Sequence, residues 1–475
     1  MKKSTSAFKH SIIAVGITVV LIVLGSVVSR PKQNISGFPL CPDCNVIVVA
    51  YDALQAAHVS HLGYLRETTP MLDALARKGV SFSNAISAAP WTVPSYMSIF
   101  TGLYPSEHKV VNKFSVFTKD TKTFSHLKKL SPNVQTIAEV LKANGYATGG
   151  FTGDAGVHSQ FGYDQGFDVF TDEVPFGSME NSASHALEWL AKKKDNKFFM
   201  FLHGYDSHGQ FKVPEEYNGR FLPEDYDGAY KGTNEEQRVL RESGLADGAL
   251  NLSEQDVAFW RGWYDSKIRD ADDRFARFWN EFERMGVKNK TVVVILSDHG
   301  TEFYEHKRFD HGFSLYDELV RVPLAFIVPG MKTGAIVKDQ VSTIDVAPTL
   351  LAVLGIDPGK QFSSQLRGTN LFSYLKTGKG VARDVFMETD YRDYTHKRGI
   401  RTADGWKFVQ TMENGTQELY SLANDPDETQ NVAAVYPEIA AMLAERVREH
   451  IVATGQAAEG PWPIGCVPVY ADQCK

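Results

Sequence analysis

NVIVVAYD (45–52) and TVVVILSDHG (291–300) are the two stretches on which the fold turns. Each is a short run of apolar, mostly β-branched residues with no polar alternation, the pattern of a strand buried on both faces. Each runs straight into a carboxylate, Asp52 in the first and Asp298 in the second, and the second continues with His299 and Gly300. Strands of this kind belong to a parallel sheet covered by helices, and chemistry in such sheets collects at the carboxyl ends of the strands.

Outward from these two runs the pattern repeats. YATGGF (146–151), KFFMFLH (197–203) and VPLAFIV (322–328) read as further buried strands. TTPMLDALARKG (68–79) reads as a helix opened by Pro70 and closed by Gly79. The expected architecture is α/β, a mostly parallel central sheet flanked by helices over residues 40–377. Past residue 378 the pattern changes to short strands (RDVFME, RGIRTADGWKFVQ, QELYSL) and a closing helix over 436–452, which predicts a smaller α+β subdomain over 378–475. The stretch 209–253 is polar, bears Gly and Pro and is weakly periodic, so it is expected to be a long surface excursion that shapes substrate access. Internal repeats and low-complexity tracts are absent.

The 475 residues are 43% hydrophobic, enough to bury a full core, which excludes a disordered chain. Fifty basic against 57 acidic residues give a net charge of −7, and no long run of either sign marks a nucleic-acid surface. Residues 1–30 stand apart. Lys2, Lys3 and Lys9 precede an uncharged apolar run from Ser11 to Val28, closed by Arg30, which reads as an export signal. No convincing small-x-small cleavage site follows, so an uncleaved membrane anchor is favoured over a removed signal sequence, and the lysines place the remainder on the periplasmic or extracellular side. The four cysteines are Cys41, Cys44, Cys466 and Cys474. In an oxidising compartment they point to disulfides, with a four-thiolate zinc site as the alternative; three pairings are open, and crossed pairs would tie the two ends of the chain together.

A lone strand-end Asp is commonly a loop hydrogen-bond acceptor. Two of them with an adjacent imidazole make Asp52, Asp298 and His299 a ligand set suited to a divalent metal. APWTVPSYMSIFTG (89–102) places Thr92 just ahead of Pro94 and Ser95 at a helix start. That is an N-cap position, and it is also where the positive end of a helix favours the alkoxide a nucleophilic Thr must become.

Taken together, NVIVVAYDAL, GYLRETTPMLDALARKGVSFSNAISAAPWTVPSYMSIFTGLYPSEH, SDHGTEFYEH, DHGFSLYDELVRVPL, STIDVAPTLLAVLGI and ELYSLANDPDETQNVA resemble, in this order, the sulfatase family of the alkaline phosphatase superfamily across nearly the whole chain. The resemblance implies that Asp52, Asp298 and His299 bind a metal and that Thr92 occupies the nucleophile position beside it. It implies that His311 and His208 contact the transferred group, and it brings His203 and Asp206 near the site by weaker correspondence. The departures are informative. Sulfatases carry Cys or Ser, oxidised to formylglycine, in a motif that continues x-Pro-Ser-Arg, whereas this chain reads Thr92, Val93, Pro94, Ser95, Tyr96. A secondary alcohol cannot give that aldehyde, so the site looks like a Thr-nucleophile variant, closer to phosphoryl-transferring relatives that use an unmodified Thr or Ser. Ala53 follows Asp52 where an Asp pair is usual, and His299 stands where many sulfatases have Asn. The imidazole favours zinc or manganese over calcium, which remains possible, and a second metal stays open.

The expected function is metal-dependent hydrolysis of sulfate or phosphate esters, with Thr92 favouring phosphoesters, on a small-molecule, glycan or lipid ester. A membrane-anchored transferase of phosphoethanolamine or phosphoglycerol type is one alternative, and a non-catalytic sulfatase-like binding protein is another.

Overall fold

The computed structural model describes residues 41–111, 128–154, 156–209, 215–217, 220–244, 250–331, 334–391 and 395–456. The apolar segment 11–28, its expected role as an anchor, and Cys466 and Cys474 lie outside the described residues. Among the described residues no helix is long and apolar enough to cross a membrane.

The apolar runs form the centre of a nine-stranded sheet. Its strands are β1 (Asn45–Tyr51), β2 (Val80–Ile86), β3 (Ala147–Phe151), β4 (Val169–Thr171), β5 (Phe198–Gly204), β6 (Thr291–Ser297), β9 (Arg321–Ile327), β10 (Ala335–Val337) and β11 (Val341–Ser342). The order is β10-β2-β9-β6-β1-β5-β3-β4, with β11 also on β2. β1 pairs in parallel with both β5 and β6, and its register sets Tyr51 opposite Gly204 on one side and Ser297 on the other. The residues that follow, Asp52 and Asp298, therefore leave the sheet side by side. β9 is the exception to the parallel rule, running antiparallel to β6 and to β2. A buried apolar run carries no mark of direction, so VPLAFIV is legible as a strand and not as a reversed one.

The helix Pro70–Ala76 starts at its proline as expected, but its free N–H groups are not satisfied by Thr69. The carboxylate of Asp272, on the helix Glu254–Arg284, accepts from Met71 N–H at 2.6 Å and Leu72 N–H at 2.9 Å. That 31-residue helix is the largest feature the strand pattern passes over. Rich in charged residues, it reads as polar on average, but Phe259, Trp260, Tyr264, Phe275, Phe278 and Phe282 fall on one buried face against the sheet. The supposed excursion 209–253 is only partly irregular, because Asn234–Gly244 is a helix that buries Leu240 and Arg241.

The C-terminal part is an antiparallel sheet, β12 (Val385–Tyr391), β13 (Thr395–Arg401), β14 (Trp406–Thr411) and β15 (Gln417–Ser421), covered by the helix Pro437–Ala453. Two buried ionic knots join it to the larger sheet. Glu388 accepts from Ser106 N–H (2.7 Å) and Oγ (2.8 Å) and faces His450 Nε2 at 2.7 Å. Burial raises its pKa, but these partners and Arg398 outweigh that and hold the carboxyl down at about 2. Lys407, wholly buried, places Nζ 2.9 Å from Asp317 Oδ1 and 2.8 Å from Glu428 Oε1. Cys41 and Cys44 are bonded to each other, so this pair closes a local loop rather than tying the chain's ends or offering thiolates to zinc.

Breaking a buried ion pair from one side strands the remaining charges. Lys407→Met is expected to cost about 3–5 kcal/mol in urea unfolding, because Asp317 and Glu428 stay buried. A variant with unaltered midpoint would show that Arg401 and Arg321, which also face Asp317 at 3.3 and 3.8 Å, carry the charge by themselves.

Candidate active site

The paired strand ends carry the site's acids. Asp52, Asp298, His203 and His299 have no exposed surface at all. Ala53 N–H donates to Asp298 Oδ1 at 3.1 Å, which draws the Asp298 carboxylate toward the β1 terminus. Making that bond puts Ala53 at φ 56°, a left-handed conformation costly for a residue with a Cβ. Tyr264 of the long helix holds the turn in place: its hydroxyl donates to Ala53 O (2.5 Å) and accepts from Gln55 N–H (2.9 Å).

His299 Nδ1 donates to the carbonyl of Gly300 at 2.6 Å, which leaves Nε2 with its lone pair toward the acids. Nε2 lies 3.3 Å from Asp298 Oδ2, 3.9 Å from Asp52 Oδ1 and 3.3 Å from Thr92 Oγ1. Gly300 is required here because a Cβ would meet the Glu318 carbonyl oxygen at 2.0 Å.

Thr92 is the first residue of the helix Thr92–Thr101 and not its cap; Trp91, in extended conformation, holds the capping position. Thr92 is nevertheless buried, with its hydroxyl facing His299. Ser95 fixes the helix to β6 by donating from Oγ to Asp298 O at 2.7 Å. Gly156 closes over Thr92 on the other side; a Cβ at 156 would lie 2.7 Å from Thr92 Cγ2. Tyr96, where the resemblance calls for Arg, is buried, donates to Tyr51 O at 3.3 Å and packs edge-on against His203. Burial and the nearby acids hold its phenol well above the usual range, so it stays neutral.

His208 and His311 complete the wall, with their Nε2 atoms 3.0 Å apart. His208 Nε2 is 3.9 Å from Asp52 Oδ1, and the His311 ring lies 4.3 Å from that of His299. His203 belongs to the site, with Nε2 3.2 Å from Asp52 Oδ2, and burial holds its pKa down at about 4. Asp206 does not: it accepts from Met179 N–H at 2.5 Å and faces Arg274 Nε at 3.2 Å, behind β5.

Three further residues shape the wall without a sequence expectation. Asp310 sits 3.2 Å from His311 Nε2, and Arg241, from the helix inside the supposed excursion, lies 3.6 Å from Asp310. Lys267, buried on the long helix, donates from Nζ to the carbonyls of His208 (3.2 Å) and Gly209 (2.9 Å) and so holds the His208 loop. Asp310 was within reach as the neighbour of His311; Arg241 and Lys267 needed the two helices first.

The residues fit a divalent cation. One ligand atom each from Asp52, Asp298 and His299 lie within 4.8 Å of one another. Asp298 Oδ2 is buried and takes no hydrogen bond among the described residues. Burial first, then repulsion from Asp52, pushes the Asp298 carboxyl up to about 7, the signature of negative charge gathered where no solvent offsets it.

Residues 44–356 match the description of the sulfatase family, and residues 304–453 match that of the N-sulphoglucosamine sulphohydrolase C-terminal region. The chain belongs to the sulfatase family and is an ester hydrolase of that family. It is 23% identical to bovine (Bos taurus) arylsulfatase K, over 91% of this chain and 87% of that protein. Among solved structures it is similar to a 2-O GAG sulfatase (TM-score 0.68, 21% identity, 87% of this chain and 92% of that one). It is equally similar to the phosphonate monoester hydrolase of Agrobacterium radiobacter (TM-score 0.68, 21% identity, 86% and 96%).

The raised Asp298 pKa sets a direction for stability. The folded value of about 7 exceeds that of an unfolded carboxylate, so the folded state binds the extra proton. This contribution is full at low pH and is lost as pH rises through about 7. Metal-stripped protein is therefore expected to lose about 2–4 kcal/mol more than Asp298→Asn between pH 5 and 8. Zinc or manganese at pH 8 restores the wild type alone. Thermal melts with and without chelator check this; parallel pH slopes for the two proteins would refute it.

Proposed function

We propose that this protein hydrolyses phosphate esters, with Thr92 as an unmodified nucleophile and a divalent ion held by Asp52, Asp298 and His299. The observation that carries the reading is Thr92 itself: a buried secondary alcohol at the start of a helix, its Oγ1 3.3 Å from His299 Nε2. Oxidation of threonine would give a ketone, not the aldehyde of formylglycine, so the hydroxyl has to act as it stands. A bound zinc or manganese ion supplies positive charge that acidifies that hydroxyl and offsets charge on the transferred group.

Thr92 Oγ1, its proton released to water, bonds to phosphorus as the ester P–O bond breaks opposite to it, giving a phospho-threonine. The leaving oxygen takes a proton from the His208–His311 pair, whose Nε2 atoms lie 3.0 Å apart. Water then attacks phosphorus and returns a proton to the His208–His311 pair, the Thr92 oxygen–phosphorus bond breaks, that oxygen takes up a proton from solvent, and phosphate leaves. Asp310 beside His311 and Lys267 behind the His208 loop keep the pair aligned on the transferred group. Tyr96 in place of a guanidinium lowers the positive charge near the nucleophile, and the fold shared with a phosphonate monoester hydrolase accommodates phosphorus chemistry.

The same reading places the protein in an exported, oxidising compartment, supported by the Cys41–Cys44 disulfide. Residues 11–28 tether it to the membrane, and its substrate is a small-molecule, glycan or lipid ester. Turnover of aryl phosphate, diaryl phosphate and aryl sulfate by metal-loaded protein tests the reading. Thr92→Ala is expected to lose roughly 10³-fold or more in kcat/KM for the preferred phosphate substrate, with Thr92→Ser retaining most of it. Acid-quenched wild type should carry a phosphoryl group on the peptide containing Thr92. Clear preference for the sulfate, or full turnover by Thr92→Ala, would overturn the proposal.

A further inference from the structure

A second cluster of metal-type ligands lies beyond the reaction centre, at the root of a short hairpin. β7 (Glu302–Phe303) and β8 (Phe309–Asp310) pair with Glu302 opposite Asp310, so the hairpin that ends in Asp310 and His311 is anchored at Glu302. One ligand atom each from Glu302, His306 and Glu318 lie within 4.8 Å of one another.

The hydrogen bonds around these side chains leave the inward atoms to one another. Glu302 Oε1 accepts from the N–H groups of His306 (2.8 Å) and Arg308 (2.9 Å), which fixes the carboxylate. Its other oxygen, Oε2, is fully buried and takes no hydrogen bond among the described residues. His306 is held flat by Tyr316, whose ring stacks on it at 3.6 Å. Its Nε2 lies 3.2 Å from the carbonyl oxygen of Glu428, an acceptor only, so Nε2 carries hydrogen and donates. That leaves Nδ1 turned to Glu318 Oε1, 2.6 Å away. An imidazole with its far nitrogen donating to a backbone carbonyl and its near nitrogen facing carboxylates is the usual arrangement of a metal-binding histidine.

We propose that Glu302, His306 and Glu318 form a structural site for a zinc-type divalent cation, separate from the catalytic ligands, that braces the hairpin presenting Asp310 and His311. Two carboxylate oxygens and one imidazole nitrogen suit zinc or manganese, with a fourth position left for water. Entry is open, because Glu318 lines a cleft of about 520 Å³ whose walls include Gln55, His58, Glu305 and Asp427. The ion displaces the proton between His306 and Glu318 and satisfies Glu302 Oε2. Through Glu428 O it also ties the hairpin to the C-terminal part of the chain.

The test is metal content after zinc loading and gel filtration. Wild type is expected to retain about two equivalents, and Asp298→Asn, which disables the catalytic site, about one. Glu302→Gln, which keeps the acceptor for the His306 and Arg308 N–H groups, is also expected to retain about one, and the double variant none. In Asp298→Asn, zinc should still raise the thermal midpoint, and Glu302→Gln added to it should abolish that rise. An Asp298→Asn protein that retains no zinc overturns the proposal without needing the Glu302 variant to fold, and so does a Glu302→Gln protein with wild-type content. Neither result touches Thr92, whose chemistry is read from turnover.

Discussion

Two carboxylates that leave adjacent strands side by side, with no water around them, are the constraint to which the rest of this structure answers. The parallel register of β1 and β6 makes Asp52 and Asp298 neighbours, and both are fully buried. Like charges so placed repel each other and lose hydration, a burden that no hydrophobic packing relieves. The fold surrounds them with donors and lone pairs: the Ala53 N–H, the imidazoles of His203 and His299, and the first turn of the Thr92 helix. Even the left-handed turn at Ala53 follows from this, since it brings that N–H to Asp298. The arrangement stops short of neutrality, which is the charge a divalent cation at Asp52, Asp298 and His299 would offset in the proposed function.

That constraint explains why so much of the site was legible in the chain. An apolar strand that ends abruptly in Asp is a local signal, and it locates Asp52, Asp298 and His299 without any tertiary information. His208 and His311 came from motif resemblance, and the structure brings them within 3.0 Å of each other. What stayed hidden depends on helices whose buried faces are mixed in composition. Lys267 and Arg241 look like ordinary surface cations until the faces of Glu254–Arg284 and Asn234–Gly244 are known. The reversal of β9 was hidden for a different reason, because residue pattern encodes burial and not direction. Asp206, brought near the site only by the weaker correspondence, faces Arg274 instead, at 3.2 Å.

The C-terminal sheet is more than an appendage to this site. Lys407 from β14 reaches Asp317, and Glu428 Oε2 accepts from the Asp317 N–H at 2.6 Å. Asp317 stands next to Glu318, whose carbonyl crosses Gly300 closely enough to exclude any side chain there. The segment that fixes the backbone after His299 is thus clamped from the C-terminal side. Rigidity at the His299 imidazole, a candidate metal ligand, is therefore maintained by residues more than a hundred positions away.

Thr92 and Tyr96 are best understood as one departure rather than two. In the related motif a guanidinium stands four residues after the nucleophile, on the same face of the helix one turn along. Here that position is a neutral phenol locked to the Tyr51 carbonyl and packed edge-on against His203. A guanidinium there would add a permanent charge beside an aldehyde-derived nucleophile; in the proposed function, the helix N-terminus and a divalent cation would supply what a threonine alkoxide needs. Charge on the transferred group then falls to His208 and His311, which, unlike Arg, can give up a proton to a departing oxygen. In the proposed function, a Thr92 nucleophile regenerated by water and a histidine wall that can protonate a leaving group form a coherent set of parts for phosphoester hydrolysis, and each part loses its use if the other is reverted alone.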